Sequence, residues 1–364
     1  MNNLKDFKSE INKCSKCGLC QSVCPVYKIT GNDCAVSRGK FVMLDGVLKG
    51  DLKLSKTINK YLDMCLKCGK CKDFCPSGID VCKIFETAKY EYAKNTLLGK
   101  LIFFLESKWV FGNILKIFKN FSRYAEFVST SKILKQVQDD KKMCNSTKIK
   151  VLYFKGCTNY ILPYTDKLLK KLPNIEIIEK DFDCCGLPFL SSGNLERYEE
   201  VKTHNLKQIE NIDFDYVFTD CASCESTLKE YFPVHVKFIN LGELLVKLDL
   251  KFKSKKPIKV TFHKPCHLEN IDFLKPLFDN CENVEYIEMP EFDDCCGFAG
   301  EFALKNRKLS IEISKKKAKN IISTKTDYVI TTCPACILGL KQGLIGIKNA
   351  PKVKSLTDFL NKIK

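Results

Sequence analysis

The sequence predicts an α+β protein of several domains: a helical N-terminal part organised by cysteines, then a duplicated α/β part that is cysteine-rich in its own right. Three observations predict it. Between Cys14 and Pro76 two copies of one cysteine run stand 51 residues apart, in a stretch with helical periodicity and little strand signal. From residue 149 onward, short apolar runs alternate with amphipathic ones, the pattern of parallel βαβ units. That second region also repeats itself with a period of about 110 residues, five cysteines per copy.

The first run reads Cys14-Ser-Lys-Cys17-Gly-Leu-Cys20-Gln-Ser-Val-Cys24-Pro25, the second Cys65-Leu-Lys-Cys68-Gly-Lys-Cys71-Lys-Asp-Phe-Cys75-Pro76. Both fit C-x2-C-x2-C-x3-C-P, the bacterial ferredoxin pattern for a [4Fe–4S] cluster. Three thiolates at two-residue gaps can wrap a tight loop around three corners of a cube. The fourth starts a helix that turns away and ligates the neighbouring cluster, and the proline after it suits a chain leaving a loop. One cubane is therefore expected on Cys14, Cys17, Cys20 and Cys75, the other on Cys65, Cys68, Cys71 and Cys24. Cys20 and Cys24 can lie no more than roughly 14 Å apart, so the clusters are neighbours. Zinc is the competing reading, but it favours two separated pairs over four cysteines in eleven residues.

Residues 1–95 form this helical two-[4Fe–4S] ferredoxin domain, with helices expected over Ser37 to Leu48 and Ile79 to Ala93. Residues 96–148 are a connector. Its apolar, aromatic stretch Leu97 to Phe121, which holds Trp109, is interrupted by Lys100, Glu106, Lys108, Lys116 and Lys119 and so reads as packed amphipathic helix rather than a membrane span. A membrane-surface or partner-docking face is the alternative. Gln136 to Lys148 reads as a linker.

The two α/β repeats are expected over 149–256 and 257–364. In the first, strands Val151 to Phe154, Ile175 to Ile178 and Tyr216 to Thr219 alternate with helices Tyr164 to Leu172 and Leu195 to Ile212. In the second, strands Ile258 to Phe262, Val284 to Ile287 and Tyr328 to Thr331 are joined in part by a helix over Leu309 to Ile322. The cysteines fall just past strand ends, where open α/β sheets bind ligands. They are Cys157, Cys184, Cys185, Cys221 and Cys224 in the first copy and Cys266, Cys295, Cys296, Cys333 and Cys336 in the second. Lone cysteine to pair spans 27 and 29 residues, and pair to C-x2-C spans 36 and 37. Five thiols gathered by three strand ends make a soft metal site. Zinc competes here too, because C-x2-C plus a distant cysteine suits it. The glycine after each pair, Gly186 or Gly297, allows close approach or positive φ. Cys34, Cys82, Cys144 and Cys281 fall outside both patterns and read as buried or incidental. His263 and His267 flank Cys266 and read as supporting groups rather than ligands; His204 and His235 read as surface or packing residues.

A chain of 364 residues can bury enough surface not to need cross-links, yet it has 22 cysteines. The N-terminus has no apolar signal segment, so these cysteines point to metal and redox use in the reduced cytoplasm, with peripheral contact at the inner face of the cell membrane as an extension. The formal charge of +17 is mostly lysine spread along the chain. Runs such as Lys251 to Lys256 read as solvated faces or linkers. They lack interleaved aromatics and any reader motif, so no nucleic-acid partner is expected. An acidic protein or a membrane surface suits the charge better. No G-x-G-x-x-G or P-loop is present, so hard chemistry belongs to clusters here or to a flavin elsewhere.

The paired CCG cysteines, the downstream C-x2-C and the run His263-Lys-Pro-Cys266-His267 resemble the cysteine-rich CCG domain of heterodisulfide reductases, of lactate-utilisation proteins, and of the iron–sulfur subunits of glycolate oxidase and anaerobic glycerol-3-phosphate dehydrogenase. With Ser37-Arg38-Gly39-Lys40 and Cys75-Pro-Ser-Gly78, the chain most resembles the glycolate oxidase iron–sulfur subunit. That resemblance implies electron transfer from a separate flavoprotein that oxidises a 2-hydroxy acid, towards a quinone or other acceptor. Both C-x2-C pairs are complete, whereas glycolate oxidase subunits tend to lack part of them. Complete sets resemble the heterodisulfide reductase type, which implies one or two noncubane [4Fe–4S] clusters and keeps disulfide chemistry open. The second copy carries the fuller motif and is expected to be the better filled.

Overall fold

The computed structural model describes residues 3–105, 148–156 and 165–363. Expectations for Trp109, Cys144, Cys157 and most of the connector lie outside the described residues.

No strand occurs among the described residues of the N-terminal part. Its helices are α1 (Lys8–Asn12), α2 (Leu19–Val23), α3 (Pro25–Thr30), α4 (Ser37–Lys49), α5 (Lys56–Asp63), α6 (Lys70–Asp73), α7 (Val81–Lys94) and α8 (Leu97–Leu105). α4 buries one stripe, whereas α7 is buried on all faces from Ile84 to Tyr90. The α4 stripe is Ser37, Lys40, Phe41 and Leu44, and the buried residues of α7 include Val81, Ile84, Phe85 and Ala88, in both cases the i, i+3, i+4, i+7 rows of a helix face. The Asp80 side chain caps α7 by accepting the Lys83 N–H. These rows meet Leu4, Phe7, Ile58 and Leu62 in one small core, and Cys14, Cys65, Cys71 and Cys75 lean on its edge.

The α/β part contains two all-parallel sheets. The first has order β2-β1-β3, with β1 Ile149–Tyr153, β2 Ile175–Glu179 and β3 Tyr216–Phe218. The second has order β5-β4-β6-β7, with β4 Phe252–Phe262, β5 Cys281–Tyr286, β6 Tyr328–Thr331 and β7 Lys352–Ser355. The sheets correspond: a single parallel bridge, Val217 to Phe238, stands in the first where β7 stands in the second. Two features differ from the sequence expectation. β4 begins at Phe252 and runs through the boundary expected between 256 and 257, so the Lys251 to Lys256 run is largely strand, with Ser254 turned in and its neighbours exposed. β7 was not foreseen, because it buries only Val353.

Helices cover the sheets: α9 (Thr165–Leu169), α10 (Leu187–Ser192), α11 (Leu195–Ile209), α12 (Ala222–Lys229) and α13 (Leu241–Lys247) in the first repeat. The second has α14 (Leu274–Asp279), α15 (Gly300–Lys305), α16 (Arg307–Ser323), α17 (Pro334–Leu344) and α18 (Leu356–Leu360). The repeats share one apolar core that joins Val151, Phe154 and Phe218 to Val260, Phe262 and Ile330. Among the described residues, no helix is long and apolar enough to cross a membrane.

Candidate metal centres

The two ferredoxin runs fold alike. Lys16 and Gly18 in the first, Lys67 and Gly69 in the second, all have positive φ (57°, 86°, 52° and 75°). For a lysine this conformation costs about 1–2 kcal/mol. Its recurrence at the same place in both loops marks a backbone wrapped to aim three cysteines inward. Cys17 is exposed, and the Leu19 N–H followed by the Ser15 hydroxyl holds its thiol below the usual range. Burial pushes Cys20 up, with Cys14 and Cys24 adding to it. Burial also pushes Cys71 up to about 12, with Cys65, Cys24 and Cys20 near it. One cavity is lined by Cys14, Cys17, Cys20, Cys71 and Cys75. Cys24 lies beyond it, where burial and then Cys65 raise its thiol. Each fourth cysteine thus stands near the other run's loop. Cys82, read as buried or incidental, is half-buried, and burial pushes its thiol up, with Cys65, Glu86 and Cys71 adding to it.

In the repeats the described cysteines form one series rather than two separate sets. Side-chain contacts join Cys185 to Cys224, Cys224 to Cys221, and Cys221 to Cys333 across the repeats. They continue from Cys333 to Cys336, Cys336 to Cys296, Cys296 to Cys295, and Cys295 to Cys266. The crossing rests on the start of the two C-x2-C helices, where Ala222 N–H donates to the Thr332 carbonyl at 3.2 Å. Two thiols accept from both neighbours in the series. Cys295 and Cys336 hold Cys296 down to about 5, and Cys221 and Cys336 hold Cys333 well below the usual range. Cys184 is half-buried against the same core.

The glycine after each pair does both things expected of it. Gly186 has φ +99° and Gly297 φ +83°. A Cβ on Gly186 would stand 2.6 Å from the Tyr198 ring, and one on Gly297 would stand 2.8 Å from the Ser310 carbonyl oxygen. Behind Gly297, Ser310 Oγ donates to its carbonyl at 2.8 Å and Ser314 Oγ donates to the Cys296 carbonyl at 2.8 Å. Gln342 donates to both hydroxyls, at 3.1 and 3.0 Å.

Cys68 joins the two regions. Burial pushes its thiol up, and Cys295 and then Cys266 reinforce the shift. Around it, Val26, Ala35 and Leu66 of the ferredoxin part pack with Cys295, Phe302 and Ile313 of the second repeat. Lys70 pairs with Asp294 at 2.8 Å and Asp293 at 3.2 Å. Despite burial, these carboxylates hold the Lys70 ammonium above its ordinary value. Lys89 pairs with Asp63 at 2.7 Å and Glu301 at 2.8 Å. His267 also bridges the parts. Its Nε2 lies 2.9 Å from the Lys67 carbonyl and its Nδ1 2.9 Å from Ser223 Oγ, which in turn is 3.7 Å from Cys333 Sγ. Both nitrogens of His267 are thus engaged by the protein itself. His204 contacts the Asp181 carbonyl at 2.8 Å on the surface.

His263 does not fit the supporting role so simply. It is fully buried, and a ring nitrogen lies with the sulfurs of Cys296 and Cys336 in a group whose atoms are all within 4.8 Å of one another. Burial, then the Lys317 charge, push it down to about 3, so the ring is neutral. Soft thiolates with a neutral imidazole suit an iron–sulfur centre or zinc, and the donor set fits both.

The "4Fe-4S dicluster domain" family matches residues 10–79, and the "Cysteine-rich domain" family matches 151–229 and again 260–341. An iron-sulfur protein of Methanococcus maripaludis is 29% identical over 99% of this chain and 74% of its own length. The Bacillus subtilis protein named "Probable glycolate oxidase iron-sulfur subunit" is 25% identical over 97% of this chain and 94% of its own. One chain of the dihydromethanophenazine:CoB–CoM heterodisulfide reductase of Methanosarcina acetivorans is 24% identical over 93% of this chain and 90% of its own.

Proposed function

We propose that this chain, which belongs to the iron–sulfur proteins that join a 4Fe-4S dicluster domain to a duplicated cysteine-rich domain, is the electron-transfer subunit of a flavin-dependent 2-hydroxy-acid oxidase or dehydrogenase. The observation that carries this reading is that Cys68 packs against the apolar cluster that holds Cys295, near enough for the Cys295 and Cys266 thiols to act on its charge. It supports a path from the ferredoxin cysteines to those of the repeats. Electrons arriving at the exposed first run, near Cys17, would pass to the second run and then to the second repeat, with the first repeat furthest along. The crossed ligand sets given above belong to this reading, and the cavity shared by Cys75 with the first run supports them.

Removing hydride from an alcohol carbon requires an organic acceptor and a base, whereas clusters take electrons one at a time. A flavoprotein partner therefore does the oxidation and hands electrons over singly. The acceptor is a quinone or another carrier, reached in the cytoplasm or at the inner membrane surface.

A second reading is favoured by the complete cysteine sets in both repeats and by the likeness to a heterodisulfide reductase chain. In it, a disulfide is reduced at a cluster of the repeats.

Reconstitution tests both. Glycolate or lactate should bleach the cluster absorbance of the anaerobic chain only when a flavoprotein is added. Turnover by the flavin-free chain alone overturns the proposal. Reduction of a disulfide by the chain with an artificial donor promotes the second reading.

A further inference from the structure

The two repeats present the same backbone at the end of their central strands. In the first, the N–H of Phe154 donates to the Phe218 carbonyl at 2.8 Å; in the second, the N–H of His263 donates to the Ile330 carbonyl at 2.9 Å. The two residues are equivalent, each three positions before the lone cysteine of its repeat. Both are fully buried. Phe154 closes its pocket with carbon, its ring 4.8 Å from that of Phe182. His263 puts two nitrogens into the corresponding place.

Neither nitrogen makes a well-aligned hydrogen bond. The Phe292 carbonyl acts on the ring from nearby, but it already accepts the Lys264 N–H at 3.1 Å. Burying a polar ring without partners costs about 1–3 kcal/mol, so an imidazole in an otherwise apolar position calls for a reason. The sulfurs of Cys296 and Cys336 provide one, because with a ring nitrogen they form a group spanning no more than 4.8 Å. A histidine ligand commonly directs its other N–H at a backbone carbonyl, which fixes the tautomer and frees the lone pair, and Phe292 is placed to receive it.

We propose that His263 is a nitrogen ligand of the metal centre in the second repeat, so that this site binds through mixed nitrogen and sulfur donors whereas the first repeat offers thiols and a phenyl wall. This rests on the reading that the repeats hold metal. Exchanging thiolate for neutral imidazole removes negative charge from a centre and raises its reduction potential, as histidine-for-cysteine exchange does in two-iron clusters. An iron–sulfur centre there then lies at higher potential than the same centre held by thiolates alone.

The test uses the full chain, purified anaerobically, with ¹⁵N-labelled histidine. There are only four histidines, so assignment is tractable. Pulsed EPR of the reduced protein should show one strongly coupled histidine nitrogen. His263→Phe, which borrows the first repeat's residue, should lose it. His263→Cys should lose it while keeping the metal, and should shift that centre's potential downward. If the site carries zinc, the zinc absorption edge should show one nitrogen per metal, absent in both variants. Metal beyond eight irons per chain with no coupled nitrogen, or a nitrogen signal that survives in His263→Cys, overturns the His263 assignment alone. Iron stopping at eight with no zinc overturns the metal reading of the repeats and the assignment with it.

Discussion

Gly297→Ala separates steric conflict from backbone strain at the second CCG pair. Gly297 has φ +83°, and an added Cβ would meet two backbone atoms of α16, the Ser310 oxygen at 2.8 Å and the Ser314 nitrogen at 2.9 Å. Gly346 is the control: its φ is +79° and nothing lies within 4 Å of its Cβ position. Both substitutions carry the left-handed penalty of about 1–2 kcal/mol. Only Gly297→Ala adds overpacking, about 1–3 kcal/mol. It also strains the Ser310 and Ser314 bonds to the Gly297 and Cys296 carbonyls, each worth about 1 kcal/mol. The difference should be roughly 2–4 kcal/mol, or about 4–16 °C in Tm at ~2–4 °C per kcal/mol. Anaerobic thermal scans read it, and metal analysis should show loss from the second repeat in Gly297→Ala only, because Cys296 moves with the helix. Equal Tm shifts with metal intact in both variants would refute the close-approach argument.

Crossed ligation predicts that Cys75→Ala damages the cluster of the first run and Cys24→Ala that of the second. EPR of each variant decides, and damage confined to the run that contains the substitution refutes it. Lys317 makes a pH prediction. Burial holds its ammonium down to about 8, against about 10.4 in an unfolded chain. Between those values the unfolded chain binds the extra proton, so stability rises with pH from about 8 to 10. Lys317→Met should flatten that rise in urea denaturation. An unchanged slope would mean that the bound centre, not burial, sets the lysine's charge.

Much of the architecture was legible because it is local. The Ser37, Lys40, Phe41, Leu44 stripe and the strand at Tyr328 to Thr331 show their period directly, and the cysteine runs state their own loop. What stayed hidden depends on neighbours. β4 starts early because Lys253 and Lys255 alternate with partly and fully buried Phe252 and Ser254, a pattern that looks like a solvated run until a partner strand is present. Cys221 and Cys333 meet where the two C-x2-C helices start side by side, with the Ala222 N–H on the Thr332 carbonyl, and no spacing within either repeat encodes that. His263 carries no signal by itself. Aligning the two lone cysteines places it against Phe154, and that comparison within the chain would have found it.

The contact between the ferredoxin part and the second repeat mixes two kinds of force. The apolar patch of Val26, Leu66, Phe302 and Ile313 supplies adhesion, but apolar surfaces can slide. The flanking charges cannot. Lys70 with Asp294 crosses the boundary, as does Lys89 with Glu301 beside the ferredoxin part's own Asp63; all are largely enclosed, and separating the Lys70 pair leaves an uncompensated charge at a cost of about 3–5 kcal/mol. Net stability is not what they add, since burying the ions offsets most of their attraction. They penalise other registers, and in this one Cys68 packs against the cluster that holds Cys295. Electron transfer between two centres depends steeply on their separation. A register device therefore belongs at this boundary, where an α-helical domain packs on α15, α16 and the loop before them with no shared strand to align them.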